Sequence, residues 1–383
     1  MSHPPWPADL IDAEEVRRWI AFALPGRPQV TGPVTVHWAK SWGVTARFAI
    51  RAGPDQPPPS HIHAMCQPVH PPHEFTEVVF KASLLPLFFY APAVYTLLGR
   101  LCPQHVPELL AWELLPGRTF RGPHVHTSWS KEKWDSQEGR LFTLFRPFAG
   151  QSVHASGNLD ALLEMARTLA RIQVAVAAQP VQETAGLPRV PVESIPTMYD
   201  YMLREVRDRY LAMWAADGGA LAKQFDIPPD VFDRLKSVQR KVEAWTAELR
   251  AGEWPNSIDH PDFHPGNAAL QPGGQVLIYD WEEAVIGCPF FSVEELLSRA
   301  GHFATDGETR AIQDAIKDAY LDALPWHTRS QRDRAYDLGT RLSPIRGAYV
   351  FEIFHQAFGM KGHSSRGAAM LVGHAVRGWP QLE

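Results

Sequence analysis

"SIDHPDFHPGNAALQPGGQVLIYDWEEA", residues 257–284, places two histidines, an aspartate and an asparagine within eight residues, then a Pro-Gly-Gly turn and a second aspartate. Pro261, Pro265 and Gly266 forbid regular structure across the cluster, so His260, Asp262, His264 and Asn267 share a stiff loop. Residues 268–270 and 275–279 read as two short strands joined by the turn, a hairpin that returns Asp280 to the side of Asn267. Asn267 then offers a carbonyl oxygen and Asp280 a carboxylate. Such a pair suits Mg²⁺, which takes one or two protein groups and leaves its other positions to phosphates and water. Asp262, five residues before Asn267, faces the same cleft as a base for an attacking hydroxyl. This is the equipment of phosphoryl transfer from ATP. The spacing H-x-D-x-H also fits a metallohydrolase, a reading that the downstream Asp280 and the hairpin disfavour.

Composition bounds the rest. The 383 residues are 45% hydrophobic and 11% aromatic, enough for one large domain or two lobes with real cores. Lys and Arg total 37 against 42 Asp and Glu, with no basic stripe, which argues against a nucleic-acid partner. Three cysteines, Cys66, Cys102 and Cys288, share no C-x-x-C spacing, so neither a disulfide framework nor a structural zinc site is expected and a reducing cytoplasm is. The opening "MSHPPWPADL" lacks the basic and apolar regions of a signal peptide. The longest greasy run, residues 84–98, contains two prolines and falls short of the ~20 residues that cross a bilayer. A soluble protein without a membrane partner is expected.

Along the chain, residues 34–51 read as two strands around a turn at Ser41–Thr45, and residues 77–82 as a third. "PELLAWELL" and "RLFTLFRPF" supply strands four and five, with one helix within residues 84–101. Between strands two and three lies a proline- and histidine-rich insertion, about 52–73. After about Gln151 the texture turns helical. Leu162, Met165, Leu169, Ile172 and Val176 recur at helical spacing behind an Asn158 cap, and Leu235, Val238, Val242, Trp245 and Leu249 repeat the pattern. Helices continue from Val293, with breaks expected at Pro325 and Pro344. The division is a nucleotide-binding lobe, 1–150, and a helical lobe, 151–383, that carries the catalytic and metal loops.

His260-Pro261-Asp262-Phe263-His264-Pro265-Gly266-Asn267 resembles the H-G-D-x-H-x-x-N signature of the aminoglycoside phosphotransferase and choline kinase-like superfamily. Tyr279-Asp280-Trp281-Glu282-Glu283-Ala284 resembles its I-D-W-E-D-A segment, and "WGVTARF", "EVVFKA", "PQHVPELLAWE" and "FTLFRPFAGQ" follow the order of its nucleotide lobe. The resemblance implies an α+β, bilobal, protein-kinase-like fold: a five-stranded antiparallel sheet with one helix, then a larger helical lobe. It implies an ATP- and Mg²⁺-dependent kinase of a small-molecule hydroxyl acceptor, with Asp262 as base and Asn267 and Asp280 on the metal. Lys81 on strand three would contact the α and β phosphates. Ser41, Trp42 and Gly43 fall in the loop covering the phosphates, and Phe145, Arg146 and Phe148 along the adenine hinge. His260 and His264 would shape the loop.

Departures qualify the match. Pro261 replaces a glycine, and Gly287-Cys288-Pro289-Phe290-Phe291-Ser292 lacks both aspartates of the family's G-D-P-x-x-D-L-A tail. The family's helix glutamate that pairs with the strand-three lysine should fall near Ala91, yet no acidic residue lies between Lys81 and Glu108. Glu113 is one substitute, and Asp280 at rest is another. A pseudokinase, binding nucleotide or acting as a scaffold without turnover, is the alternative function. Lys81 also reads as an ordinary surface lysine, although three apolar neighbours in a strand favour function. Glu282 and Glu283 either face the acceptor or form a solvated pair. Trp281 reads as a packing residue. His61, His63, His70, His73 and Cys66 crowd zinc-type ligands but match no finger spacing, and a flexible loop is the plainer reading. Tyr199, Tyr201, Trp214, Phe351 and Phe354 suit an apolar or sugar-like acceptor, or a helical core.

Overall fold

A computed structural model describes residues 13–40, 43–51, 76–115, 139–207, 231–304 and 307–358. Ser41, Trp42, the insertion at 52–73 and Trp214 lie outside the described residues, as do the side chains of Phe351 and Phe354. The described chain forms two compact units. One draws on segments within Met1–Phe120 and Glu132–Ser152 together with Ala268–Glu283; the other draws on Val153–Asn267 and Ala284–Glu383.

The first unit is built on a five-stranded sheet of β1 (Gln29–Lys40), β2 (Gly43–Arg51), β3 (Glu77–Ser83), β4 (Leu109–Leu115) and β5 (Arg140–Phe145). Their order is β1-β2-β3-β5-β4, every neighbour antiparallel. Period-2 patterning decides the faces. Phe48, Val78, Phe80, Phe142 and Leu144 are buried on one side, where Phe80 meets Phe48 and Phe142 edge to face at 5.9 and 5.0 Å. A helix not expected from the sequence, α1 (Ala13–Ala23), closes that side: Val16, Trp19 and Ile20 are buried, and Trp19 lies edge-on to Phe80 and Phe142 at 5.9 and 5.4 Å. Lys81, one residue on from Phe80, takes the opposite face by strand alternation and sits in register with Thr45 and Thr143. The second helix, α2 (Ala91–Leu101), has Pro92 in its first turn, where a proline is tolerated, and sets Tyr95 edge-on to Phe145 of that opposite face at 4.7 Å.

The hairpin of Ala268–Leu270 and Val276–Ile278, expected in the helical lobe, belongs to the first unit. Its edge pairs with Gln151–Ser152, the Ile278 N–H donates to the His105 carbonyl at 2.8 Å, and His105 Nδ1 lies 3.1 Å from the Val276 carbonyl. Gly150 makes the pairing possible: it has φ +108°, and a Cβ there would stand 2.2 Å from the Leu270 carbonyl oxygen.

In the second unit the helix Leu159–Ala177 begins at Asn158, whose side chain accepts from the Ala161 N–H at 3.1 Å, and it buries Leu162, Met165, Leu169, Ile172 and Val176. Gln173, also buried, donates to the carbonyls of Ile258 and Pro289 at 3.1 and 2.9 Å and accepts from the Tyr320 hydroxyl at 2.7 Å. It thereby ties the helix to a small sheet in which Val285–Gly287 lies between Arg189–Val190 and Ser257–Asp259. The second periodic stretch is two helices, Val231–Ser237 and Gln239–Ala251, with Val238 as the joint. Pro344 does not end its helix, which runs for 30 residues from Arg329 to Phe358. Leu342, Ser343, Ile345 and Arg346 are all buried, and Ser343 Oγ donates to the Phe291 carbonyl at 2.7 Å, so packing on both sides of the proline outweighs the lost helical hydrogen bond. No helix among the described residues is long and apolar enough to cross a membrane.

Candidate active site

The loop after Ser257–Asp259 folds on its own polar groups. His264 N–H donates to the Asp262 carbonyl at 3.0 Å and Asn267 N–H to the His264 carbonyl at 2.8 Å. Asn267 Nδ2 donates to both the Asp262 carbonyl and its Oδ2, at 2.9 and 2.8 Å. With the amide nitrogen spent on Asp262, the planar carbamoyl group turns Oδ1 the other way. His264 Nδ1 accepts from the Gly266 N–H at 3.0 Å, which puts the ring proton on Nε2, 3.5 Å from Asp262 Oδ2. Burial alone would lower the His264 pKa; the hydrogen bond and charge of Asp262, with Glu295, outweigh it and hold it above the usual value. Phe263 is buried and anchors the loop from its centre, while the Asp262 side chain remains 48% exposed.

Beneath the loop lies a buried ion pair. Asp259 accepts from Arg346 and from Ser292 Oγ, the latter at 2.7 Å, and Ser292 Oγ in turn accepts from the His260 N–H at 2.9 Å. His260 is therefore a buried part of the loop's foundation, and no cluster of three or more metal-ligating side chains occurs among the described residues. Ser292 occupies the segment where the resemblance leads one to expect an aspartate. Arg346 carries no local signal in the sequence; only the fold brings it to Asp259, 87 residues away.

In the first unit Lys81 Nζ donates to Asp280 Oδ1 at 2.6 Å and to Glu282 Oε1. Burial would depress the lysine's pKa, but the two carboxylates hold it well above the ordinary range, so the amine stays charged. Burial, with Asp280 adding and Lys81 opposing, pushes Glu282 up. Asp280 has φ +68°, a left-handed backbone unusual for a side-chain-bearing residue, and is 37% exposed. Glu282 is 8% exposed, so it is not half of a solvated carboxylate pair, one of the two readings of the sequence; the 3-10 turn Trp281–Glu283 points it inward to Lys81. Trp281 is wholly buried, as expected of a packing residue. Glu113, the other substitute considered for the missing helix glutamate, accepts instead from Trp19 Nε1 at 2.6 Å. Tyr95 was not anticipated; it stands one helical turn after Ala91, on the same face of α2, and its hydroxyl accepts from the Trp281 N–H at 3.2 Å.

At the end of β5, Arg146 N–H donates to the Glu108 carbonyl at 3.0 Å and its guanidinium to the Glu108 carboxylate at 2.6 Å. Phe148 lies against Tyr279 at 5.4 Å. Gly43 opens β2. Tyr199 is core, buried with its hydroxyl on the Leu235 carbonyl, and Tyr201 packs edge-on to Tyr349 at 5.5 Å.

The family model for the phosphotransferase enzyme family matches residues 91–329, more than half of the chain. The chain belongs to that family. The phosphotransferase also shares its fold with solved kinases. Choline kinase from Cryptosporidium parvum, 10% identical, superposes over 97% of this chain and 96% of that one with a TM-score of 0.55. Plasmodium vivax ethanolamine kinase, 10% identical, does so over 96% and 85% with a TM-score of 0.51. The fold is accordingly α+β and protein-kinase-like. No curated protein gives a significant match to the phosphotransferase.

Proposed function

We propose that this phosphotransferase moves the γ-phosphoryl group of ATP, with Mg²⁺, to a hydroxyl of a small molecule. The observation that carries the reading is the Asp262 carboxylate, half exposed at the tip of a loop whose other polar groups are engaged in holding it. Asp262 takes the proton of the acceptor hydroxyl and orients its oxygen; the work is positioning and charge neutralisation. The donor set fits Mg²⁺: Asn267 presents a carbonyl oxygen because its nitrogen is spent, and Asp280 presents a carboxylate, hard oxygens without sulfur or imidazole. When bound, the cation neutralises charge on the β and γ phosphates. Lys81, charged and on β3, binds the α and β phosphates, Gly43 lies in the segment that covers them, and Phe145, Arg146 and Phe148 line the adenine hinge. The two described cysteines, Cys102 and Cys288, are free and buried, in keeping with a cytoplasmic protein.

The structural relatives named for choline and ethanolamine share too little identity to lend their acceptors to this chain. Mg-ATP consumption over a panel of amino alcohols, aminoglycosides, macrolides, sugars and nucleosides tests the reading. Acceptor-dependent release of ADP is expected with at least one class. The rival reading, a pseudokinase, draws on the absence of an acidic residue on α2. Mg-ATP binding by calorimetry without turnover on any acceptor would favour it.

A further inference from the structure

A lysine that must meet a phosphate has four rotatable carbons to immobilise, and an isolated ammonium on such a stem loses much of its binding energy to that ordering. Lys81 has two carboxylates on it, and they differ in kind. Asp280 is 37% exposed and Glu282 is 8% exposed. The exposed group has room to turn to a cation; the buried one has none.

The backbone carrying Glu282 is fixed through its neighbour Trp281. Trp281 Nε1 donates to the Ile278 carbonyl at 2.8 Å, its N–H donates to Tyr95 Oη on α2 at 3.2 Å, and the indole is fully buried. We infer that Glu282 is the positioning residue of Lys81: the lysine's resident counter-ion stands in the segment of Asp280 instead of on α2, and α2 supplies Tyr95 to hold that segment in place. Ala91 is thus no defect. Because Glu282 follows Asp280 by two residues, the lysine and the metal carboxylate are set by one short stretch of backbone. When Asp280 turns away to a cation, Lys81 keeps Glu282 and its orientation. The role, though not the ion pair, rests on the phosphotransferase reading.

Two readouts separate the parts. Trace labelling of the full-length chain with acetic anhydride, without nucleotide and scored lysine by lysine by mass spectrometry, reports how firmly each amine is held and shielded by its partners. Calorimetry reports Kd for Mg-ATP. Lys81 should label far more slowly than the exposed Lys236 in the wild-type chain. Glu282→Gln should raise Lys81 labelling severalfold and weaken Mg-ATP binding roughly 10- to 30-fold, the equivalent of a lysine's rotamer freedom. Glu243→Gln, on an exposed helix face, should change neither. Unchanged Lys81 labelling in Glu282→Gln overturns the inference, and so does raised labelling with Kd held within twofold. Should Glu282→Gln not fold, Tyr95→Phe must move both readouts in the same direction by less, and surface-like labelling of Lys81 in the wild-type chain overturns the pairing outright. A wild-type chain that binds no Mg-ATP at millimolar nucleotide is the separate failure of the phosphotransferase reading, and it removes the role with it.

Discussion

Arg346→Met should destabilise the second unit far more than a typical substitution. Arg346 and Asp259 are 3% and 1% exposed, so the variant strands a carboxylate in the interior. Methionine preserves length and the contact with Phe291, whose ring lies 5.8 Å from the guanidinium carbon, so lost packing is a minor part of the change. Breaking a buried pair from one side costs about 3–5 kcal/mol. For a unit of this size each kcal/mol moves the midpoint by roughly 2–4 °C, so a drop on the order of 10 °C is expected by differential scanning calorimetry. The Asp259→Asn/Arg346→Met double variant removes both charges and keeps an acceptor for Ser292, and should recover most of that loss. The pH dependence has a definite sign. Burial already raises the Asp259 pKa, with Arg346 opposing, and removing Arg346 raises it further. A carboxyl raised in the folded state favours folding below its unfolded pKa and loses that stability as pH rises through the folded value. Arg346→Met should therefore melt closer to wild type near pH 4 than at pH 8. A single variant within 2 °C of wild type at pH 8, or a double variant worse than the single, would refute the reasoning.

Asp262→Asn should retain Mg-ATP binding by calorimetry while phosphoryl transfer falls ~10²- to 10⁴-fold, the usual loss of general-base assistance; near-normal turnover would remove Asp262 from that role. His264 should titrate above the usual 6.5 by NMR, and Asp262→Asn should bring it down, because Asp262 is what opposes burial there. The stability this proton confers is fully present below the unfolded pKa and is lost as pH rises through the folded one. Gly266→Ala would put a Cβ 2.6 Å from His264 Cε1, so the ring must move, costing ~1–3 kcal/mol in urea unfolding and shifting the His264 midpoint. Trp19→Phe removes the donor to Glu113 and should lower stability by ~1–3 kcal/mol; an unchanged denaturation midpoint would show that water replaces the indole N–H.

The five strands and α2 are legible because alternation at Phe48, Val78, Phe80, Phe142 and Leu144 and a proline at a helix start are local signals. The Pro-Gly-Gly hairpin is legible for the same reason, but its membership is not: that depends on Gly150, His105 and Tyr95, distant in sequence. Pro344 misleads because propensity yields to packing on Phe291. Asp262, His264, Gly266 and Asn267 of the H-x-D-x-H-x-x-N loop are readable from spacing, since the hydrogen bonds among them span five residues or fewer, whereas the His260 N–H reaches Ser292, 32 residues away. Glu282 is not readable in the same way. Beside Glu283 in sequence it looks like half of a solvated pair, and only the 3-10 turn and the buried, hydrogen-bonded Trp281 decide which carboxylate goes inside. Arg346 and Ser292 are invisible as partners of Asp259 for want of any periodicity linking them.

Lys81 and Asp280 are 199 residues apart, and the strands around the lysine are made long before its partners exist. At a synthesis rate of ~5–20 residues per second, roughly 10–40 s separate the two on the ribosome. Throughout most of that interval the five-stranded sheet is complete, yet its lysine lacks Asp280 and Glu282, and Gln151–Ser152 awaits a hairpin still to come. Final assembly of the first unit is a late event, because residues 257–267 of the second unit are translated before the hairpin is. A chain stalled or truncated before residue 268 therefore leaves Gln151–Ser152 without the strand it pairs with, an unpaired edge that the finished molecule does not have.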